Sequence, residues 1–252
     1  MFDVSDDAQA IYDQYFKNAV EQLKTFKGDP DIPKSRMFST AKLKSKAAQQ
    51  AHELNPGTIK VWTGGNFYSP RNTIIEVGLN KNVIDILELS DSFNQALQLI
   101  PSNLHKRFKS EFEEHRIVGS IAHEISHWID DTLHNYHIKG KVEKARELDD
   151  TRGPHSSKSK KITARLSDQL SAHEINAQIH QMKEVKNKIS PERWDSLTIE
   201  ELIDINPSTS STKEKLILKD VSLYQKWKRL LLTRLHREGL LGKAMAKALT
   251  NG

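Results

Sequence analysis

Residues 123–127 read His123-Glu124-Ile125-Ser126-His127. Two histidines four positions apart on a helix project from one face, so both imidazoles can reach a single metal ion. The carboxylate of Glu124, beside the first histidine, is placed to take the proton of a water that the ion acidifies. Catalytic zinc normally has three protein ligands and keeps a position for water, so a further donor has to come from elsewhere in the chain. The segment Ser171-Ala172-His173-Glu174-Ile175-Asn176 supplies Glu174 on a later amphipathic stretch, with His173 as the alternative. His173 and His180 share a face of that stretch and read as a solvated pair. Asp130 and Asp131 follow His127; either can orient an imidazole through its second N–H, or the two form an exposed acidic pair.

The composition agrees with a site of this kind. The 252 residues include 11 His and no Cys, which excludes disulfide scaffolds, thiol nucleophiles, iron–sulfur clusters and cysteine zinc knuckles. A metal, expected as one zinc ion per chain, has to be held by imidazole and carboxylate. The length allows one large domain or two small ones with a proper core. Hydrophobic residues at 37% and charged residues at 28% suit a globular chain on the polar side. No run approaches the ~20 apolar residues of a membrane span, and the acidic start Met1-Phe2-Asp3-Val4 is unlike a signal peptide. The expected location is therefore the cytoplasm.

The net charge of +5 is regional. Segment 139–165 carries nine basic against four acidic residues, and segment 213–252 ten against three. These two stretches are the candidate contacts for nucleic acid, an acidic partner or an acidic membrane surface.

The elements that must position the site follow from periodicity. Apolar residues at helical spacing predict helices over 6–26 and 39–54, the first broken by Gly28 to Pro33 and the second by Asn55-Pro56-Gly57. Short β-branched runs, Thr58 to Thr63 and Asn72 to Val77, predict two strands forming a hairpin-like pair. Further helices are expected over 82–100, 102–134, 167–186, 192–205 and about 212–237. Thr151 to Lys161 reads as a polar loop and Asn206 to Thr212 as a Ser/Thr linker. In the helix that ends near 134, Ile121, Ile125, Trp128 and Ile129 form an apolar stripe opposite His123 and His127. The fold class is α+β, predominantly helical, with one small sheet.

Strands before an HExxH helix, with a glutamate on a later helix, resemble the zincin metallopeptidases, and in particular their gluzincin branch. The resemblance covers about 58–182. It implies a zinc peptidase, an endopeptidase by analogy, in which His123, His127 and Glu174 bind the metal and Glu124 is the general base. It also implies that the segment Tyr68 to Val77 is a cleft-edge strand that pairs with an extended peptide. A Tyr or His would steady the oxyanion, with Tyr136, His134, His137 and His180 as candidates. Better-known gluzincins carry an Asp four residues after the ligand glutamate; here that position is Gln178. The corresponding division is an N-terminal helical region 1–57, a zincin-like core 58–190 and a basic helical region 191–252. Two other classes compete: a structural or interaction protein on a zincin scaffold, such as a phage or secretion-assembly component with a vestigial site, and a nucleic-acid-binding module with a chance HExxH.

Overall fold

The computed structural model describes residues 3–17, 35–38, 43–62, 67–69, 73–78, 86, 89–105, 113–134 and 170–250. Most of these are helical, with one small sheet, the α+β arrangement that periodicity predicts. The chain forms two compact units, Met1–Leu133 and His134–Gly252. Each is described by itself.

The first unit begins with α1 (Ser5–Ile11), which runs into one π turn at Tyr12–Phe16. Ile11, Tyr12 and Phe16 are buried there. Asp7 is buried as well, and its carboxylate accepts the backbone N–H groups of Lys44 and Ser45. Those residues open α2 (Lys46–Leu54), and the Ser45 hydroxyl accepts Ala48 N–H at 3.2 Å. A carboxylate at a helix N-terminus satisfies otherwise unpaired donors and meets the positive end of the dipole. The first predicted helix is thus helical to Lys17; its remainder and the Gly28 to Pro33 break lie outside the described residues. The second starts at Lys46, because 43–45 are needed as its entry and cap.

Four strands form the sheet: β1 (Ser35–Phe38), β2 (Thr58–Trp62), β3 (Phe67–Ser69) and β4 (Ile74–Gly78), in the order β1-β2-β4-β3. β1 had no recognisable signal in the sequence. The two predicted strands are both present, but they do not form a hairpin. β2 and β4 run parallel, with Ile59 opposite Ile75, and β3 pairs antiparallel with β4. The connection between β2 and β4 contains a strand of its own, so the chain reverses twice before β4 is laid down. Tyr68, Ile75 and Ile59 therefore stand in one row across the sheet, all buried.

After β4, residues 89–92 turn and bend, Ser92 caps α3 (Phe93–Gln98), and a single 3-10 turn covers Ser102–Leu104. Of the helix predicted over 82–100, Ile86 and Phe93–Gln98 are helical, residues 89–92 interrupt it, and 82–85 and 87–88 lie outside the described residues. α4 (Glu114–His134) is the long helix of this unit. Every residue from Ile117 to Asp130 is buried. Its predicted apolar stripe holds, Ile121, Ile125, Trp128 and Ile129 each being at most 1% exposed. The Trp128 indole N–H donates to the Asn55 carbonyl at 3.2 Å, and a Cβ at Gly57 would come within 3.1 Å of the same ring. The turn that ends α2 is thus docked on α4 by a close approach that only glycine permits without a shift. Thr73, at φ 53°, sits in the left-handed region that β-branched residues avoid. Its hydroxyl donates to Asn55 Oδ1 at 3.0 Å and its carbonyl accepts Thr58 N–H at 2.9 Å, which holds it there.

The second unit is helical throughout its described part: α5 (Ala172–Lys188), α6 (Pro191–Ser196), α7 (Ile199–Ile205), α8 (Pro207–Lys219), α9 (Val221–Arg237) and α10 (Lys243–Thr250). Three breaks differ from expectation. The helix predicted over 192–205 is split at Leu197-Thr198, where Thr198 and Glu201 form a reciprocal capping box. The predicted linker 206–212 is instead the start of α8, with Asn206 accepting Ser208 N–H and Pro207 in the first turn. The helix predicted over 212–237 is interrupted at Asp220, which accepts the N–H groups of Ser222 and Leu223. Thr, Asn and Asp favour both loops and N-caps because their side chains bond nearby backbone donors; composition alone does not separate the two.

The core of this unit gathers Ile179 and Met182 of α5, Trp194, Leu202, Leu216, Trp227, Leu231 and Leu235. Gly239, at φ 65°, ends α9 in the left-handed cap position. The Trp194 indole N–H then donates to Leu240 O at 3.1 Å. A Cβ at Gly242 would lie 2.4 Å from the Trp194 carbonyl oxygen, so that contact requires glycine.

Candidate metal centre

α4 is buried all round, although one side of it is polar. Away from the apolar stripe lie Ser120, His123, Ser126, His127 and Asp130, with Glu124 at the stripe's margin, none more than 9% exposed. Buried ionisable groups are costly unless they are paired or bound to a metal. The imidazoles of His123 and His127 approach edge to face, with their Nε2 atoms 3.0 Å apart. Two N–H groups cannot face each other at that separation, so at least one nitrogen presents a lone pair. Tetrahedral zinc with ~2.0–2.1 Å bonds holds two nitrogens roughly 3.3 Å apart, close to the observed spacing.

Among the described residues, His123, His127 and Glu174 form a group able to hold a metal ion. One ligand atom from each lies within 4.8 Å of the others. Glu174 occupies the first turn of α5, where the Ser171 hydroxyl accepts its backbone N–H at 3.2 Å. The same Ser-x-x-Glu spacing recurs at Thr198–Glu201, where Glu201 folds back to cap its own helix. Glu174 instead contributes the carboxylate oxygen of the His123–His127–Glu174 group. The donor set has two nitrogens and one carboxylate and no sulfur, which suits a borderline divalent ion such as zinc.

The other residues that the sequence singled out are placed as follows. Glu124 is 3% exposed on the same turn as His123. Asp131 does not lie in an exposed pair; it accepts the Tyr68 hydroxyl at 3.0 Å, tying β3 to the turn of α4 that follows His127. Burial, followed by the charge and hydrogen bond of Asp131, pushes the Tyr68 phenol above its ordinary value. Asp130 is buried at 3%. His180 is buried at 2%, with Gln181 and Glu184 beside it, so the solvated pair expected on α5 is not found. Gln178 accepts the Trp227 indole N–H at 3.1 Å and donates to the Thr212 hydroxyl at 3.4 Å. The position where gluzincins carry a supporting Asp thus serves to join α5, α8 and α9. The side chains of His134, Tyr136 and His137, and the 139–165 segment, lie outside the described residues.

The Tyr68–Asp131 hydrogen bond is the contact that the sequence did not reveal; the segment from Tyr68 was expected as a cleft-edge strand, with no signal of a partner on α4. No protein-family model matches the chain, and no curated protein or solved structure matches it.

Proposed function

We propose that this chain is a zinc-dependent peptidase of the zincin type, with His123, His127 and Glu174 as metal ligands and Glu124 as general base. The convergence of those three ligand atoms within 4.8 Å carries the reading. A bound zinc ion would polarise a scissile carbonyl and bring the pKa of a water towards ~7. The chain's own residues supply the rest. Glu124 takes the water's proton and passes it to the leaving amine, acting as base and then as acid. Its buried setting excludes bulk water, which strengthens each electrostatic interaction there. The apolar stripe of α4 fixes the helix, and so fixes the directions of all three HExxH side chains.

Purified protein is expected to hold about one zinc per chain by elemental analysis. Glu124→Gln should keep the metal and lose peptide hydrolysis by a factor on the order of a thousand or more. His123→Ala and His127→Ala should lose the metal itself. A Glu124→Gln protein that cleaved peptides at the wild-type rate would overturn the mechanism. A wild-type protein that took up no zinc from a buffered solution would overturn the site.

A further inference from the structure

The corner where α8 meets α9 presents apolar side chains to solvent. Leu218 is 80% exposed, Val221 59% and Ile217 42%, although Leu216, Tyr224 and Trp227 beside them are buried in the core. Three aliphatic groups within five residues, on both sides of the Asp220 cap, are not what a solvated helix junction needs.

The cations around this corner fall into two groups. Lys213 bridges Asp204 and Glu200, and Lys228 bonds Glu200, so both are neutralised by α7. Lys215, Lys219, Lys226 and Arg229 are exposed and make no ion pair among the described residues. Lys215 and Lys219 flank Leu218, and Arg229 lies two turns along α9 from Val221. The local acids are the exposed Glu214 and Asp220, whose carboxylate is bound by Ser222 and Leu223.

We propose that the α8–α9 corner is a docking surface for an anionic lipid bilayer: Leu218, Val221 and Ile217 enter the interface while Lys215, Lys219, Lys226 and Arg229 face acidic headgroups. A bilayer accepts a protruding aliphatic tip without a complementary pocket, and a rim of lysines adds attraction to an anionic leaflet. A protein groove would instead be expected to engage anchors such as Trp or Tyr, and the aromatic residues here point inward. A polyanion such as DNA matches the cations but gives the three aliphatic groups nothing to enter. The inference stands apart from the peptidase reading, since docking requires neither metal nor turnover.

The test is co-sedimentation of the full-length protein with vesicles of phosphatidylcholine alone and of phosphatidylcholine mixed with phosphatidylserine. Binding is expected only with phosphatidylserine present. Leu218→Asp/Val221→Asp and Lys215→Glu/Lys219→Glu should each weaken it about tenfold or more. All four positions are exposed, so melting by circular dichroism should match wild type. If the aspartate pair melts lower, Leu218→Ser/Val221→Thr should show the same direction of loss. Wild-type protein that stays in the supernatant with phosphatidylserine vesicles would overturn the proposal. So would an aspartate variant that sediments as well as wild type, since salt-sensitive attraction alone would then explain binding. Duplex DNA that displaces the vesicles, and binds the aspartate variant equally well, would assign the cations to nucleic acid instead.

Discussion

Glu174 and His173 are adjacent in sequence and face different demands. Only Glu174 joins the imidazole pair within 4.8 Å, so the two substitutions should separate cleanly. Glu174→Ala should weaken zinc binding by roughly ten- to a hundredfold or more, whereas His173→Ala should leave stoichiometry unchanged; a competition titration against a chelator reads both. Gln178 makes the complementary case. Its amide accepts from Trp227 and donates to Thr212 within the core. Gln178→Leu would leave the indole N–H and the hydroxyl without these partners, at about 1–3 kcal/mol. That loss should appear as a lower urea midpoint with metal content intact. A drop in metal affinity without a change in stability would instead place Gln178 in the service of the site.

Among the elements, β3 is the least autonomous. Three residues cannot hold a sheet edge, and Tyr68 secures this one by bonding Asp131 of α4. Tyr68→Phe should cost about 1–2 kcal/mol, since the lost bond goes to a carboxylate. The pH dependence has a definite sign. The phenol's pKa is raised in the folded state, so its stabilisation is complete below the ordinary tyrosine value of ~10 and declines as pH climbs beyond it. The gap between wild type and Tyr68→Phe in urea melts should therefore be constant through neutral pH and shrink in strong alkali. The same elements show what the sequence makes legible. The α4 stripe, the Asn55-Pro56-Gly57 stop and the His123–Glu124–His127 face are local periodicities and turn chemistry, and each is found where expected. The parallel pairing of β2 and β4 was not legible, because register and direction are set by a connection whose own strand is three residues long. Nor were the breaks at Thr198, Asn206 and Asp220, where one side-chain chemistry serves both loop and cap. Tyr68–Asp131 joins residues 63 positions apart, a distance over which no periodicity reaches.

At the scale of the molecule, stability should depend on the ion. A ligand that binds only the folded chain adds about 2.7 kcal/mol at a hundred times its dissociation constant. Zinc should therefore raise the melting temperature by several degrees in wild type and Glu124→Gln, and not in His123→Ala. Calorimetry with and without chelator measures this; equal shifts in all three proteins would point to binding elsewhere. The second unit offers a contrast. Gly242→Ala forces a Cβ to within 2.4 Å of the Trp194 carbonyl, so it should lower the melting temperature whether or not zinc is present.

Trp128 follows His127 directly, is 1% exposed, and has the His52 ring at 6.2 Å, edge to face. An indole sealed from water emits at short wavelength, so Trp128→Phe subtracted from wild type should isolate a blue component belonging to α4. That component is an optical probe built into the helix that carries His123 and His127, and it needs no added label.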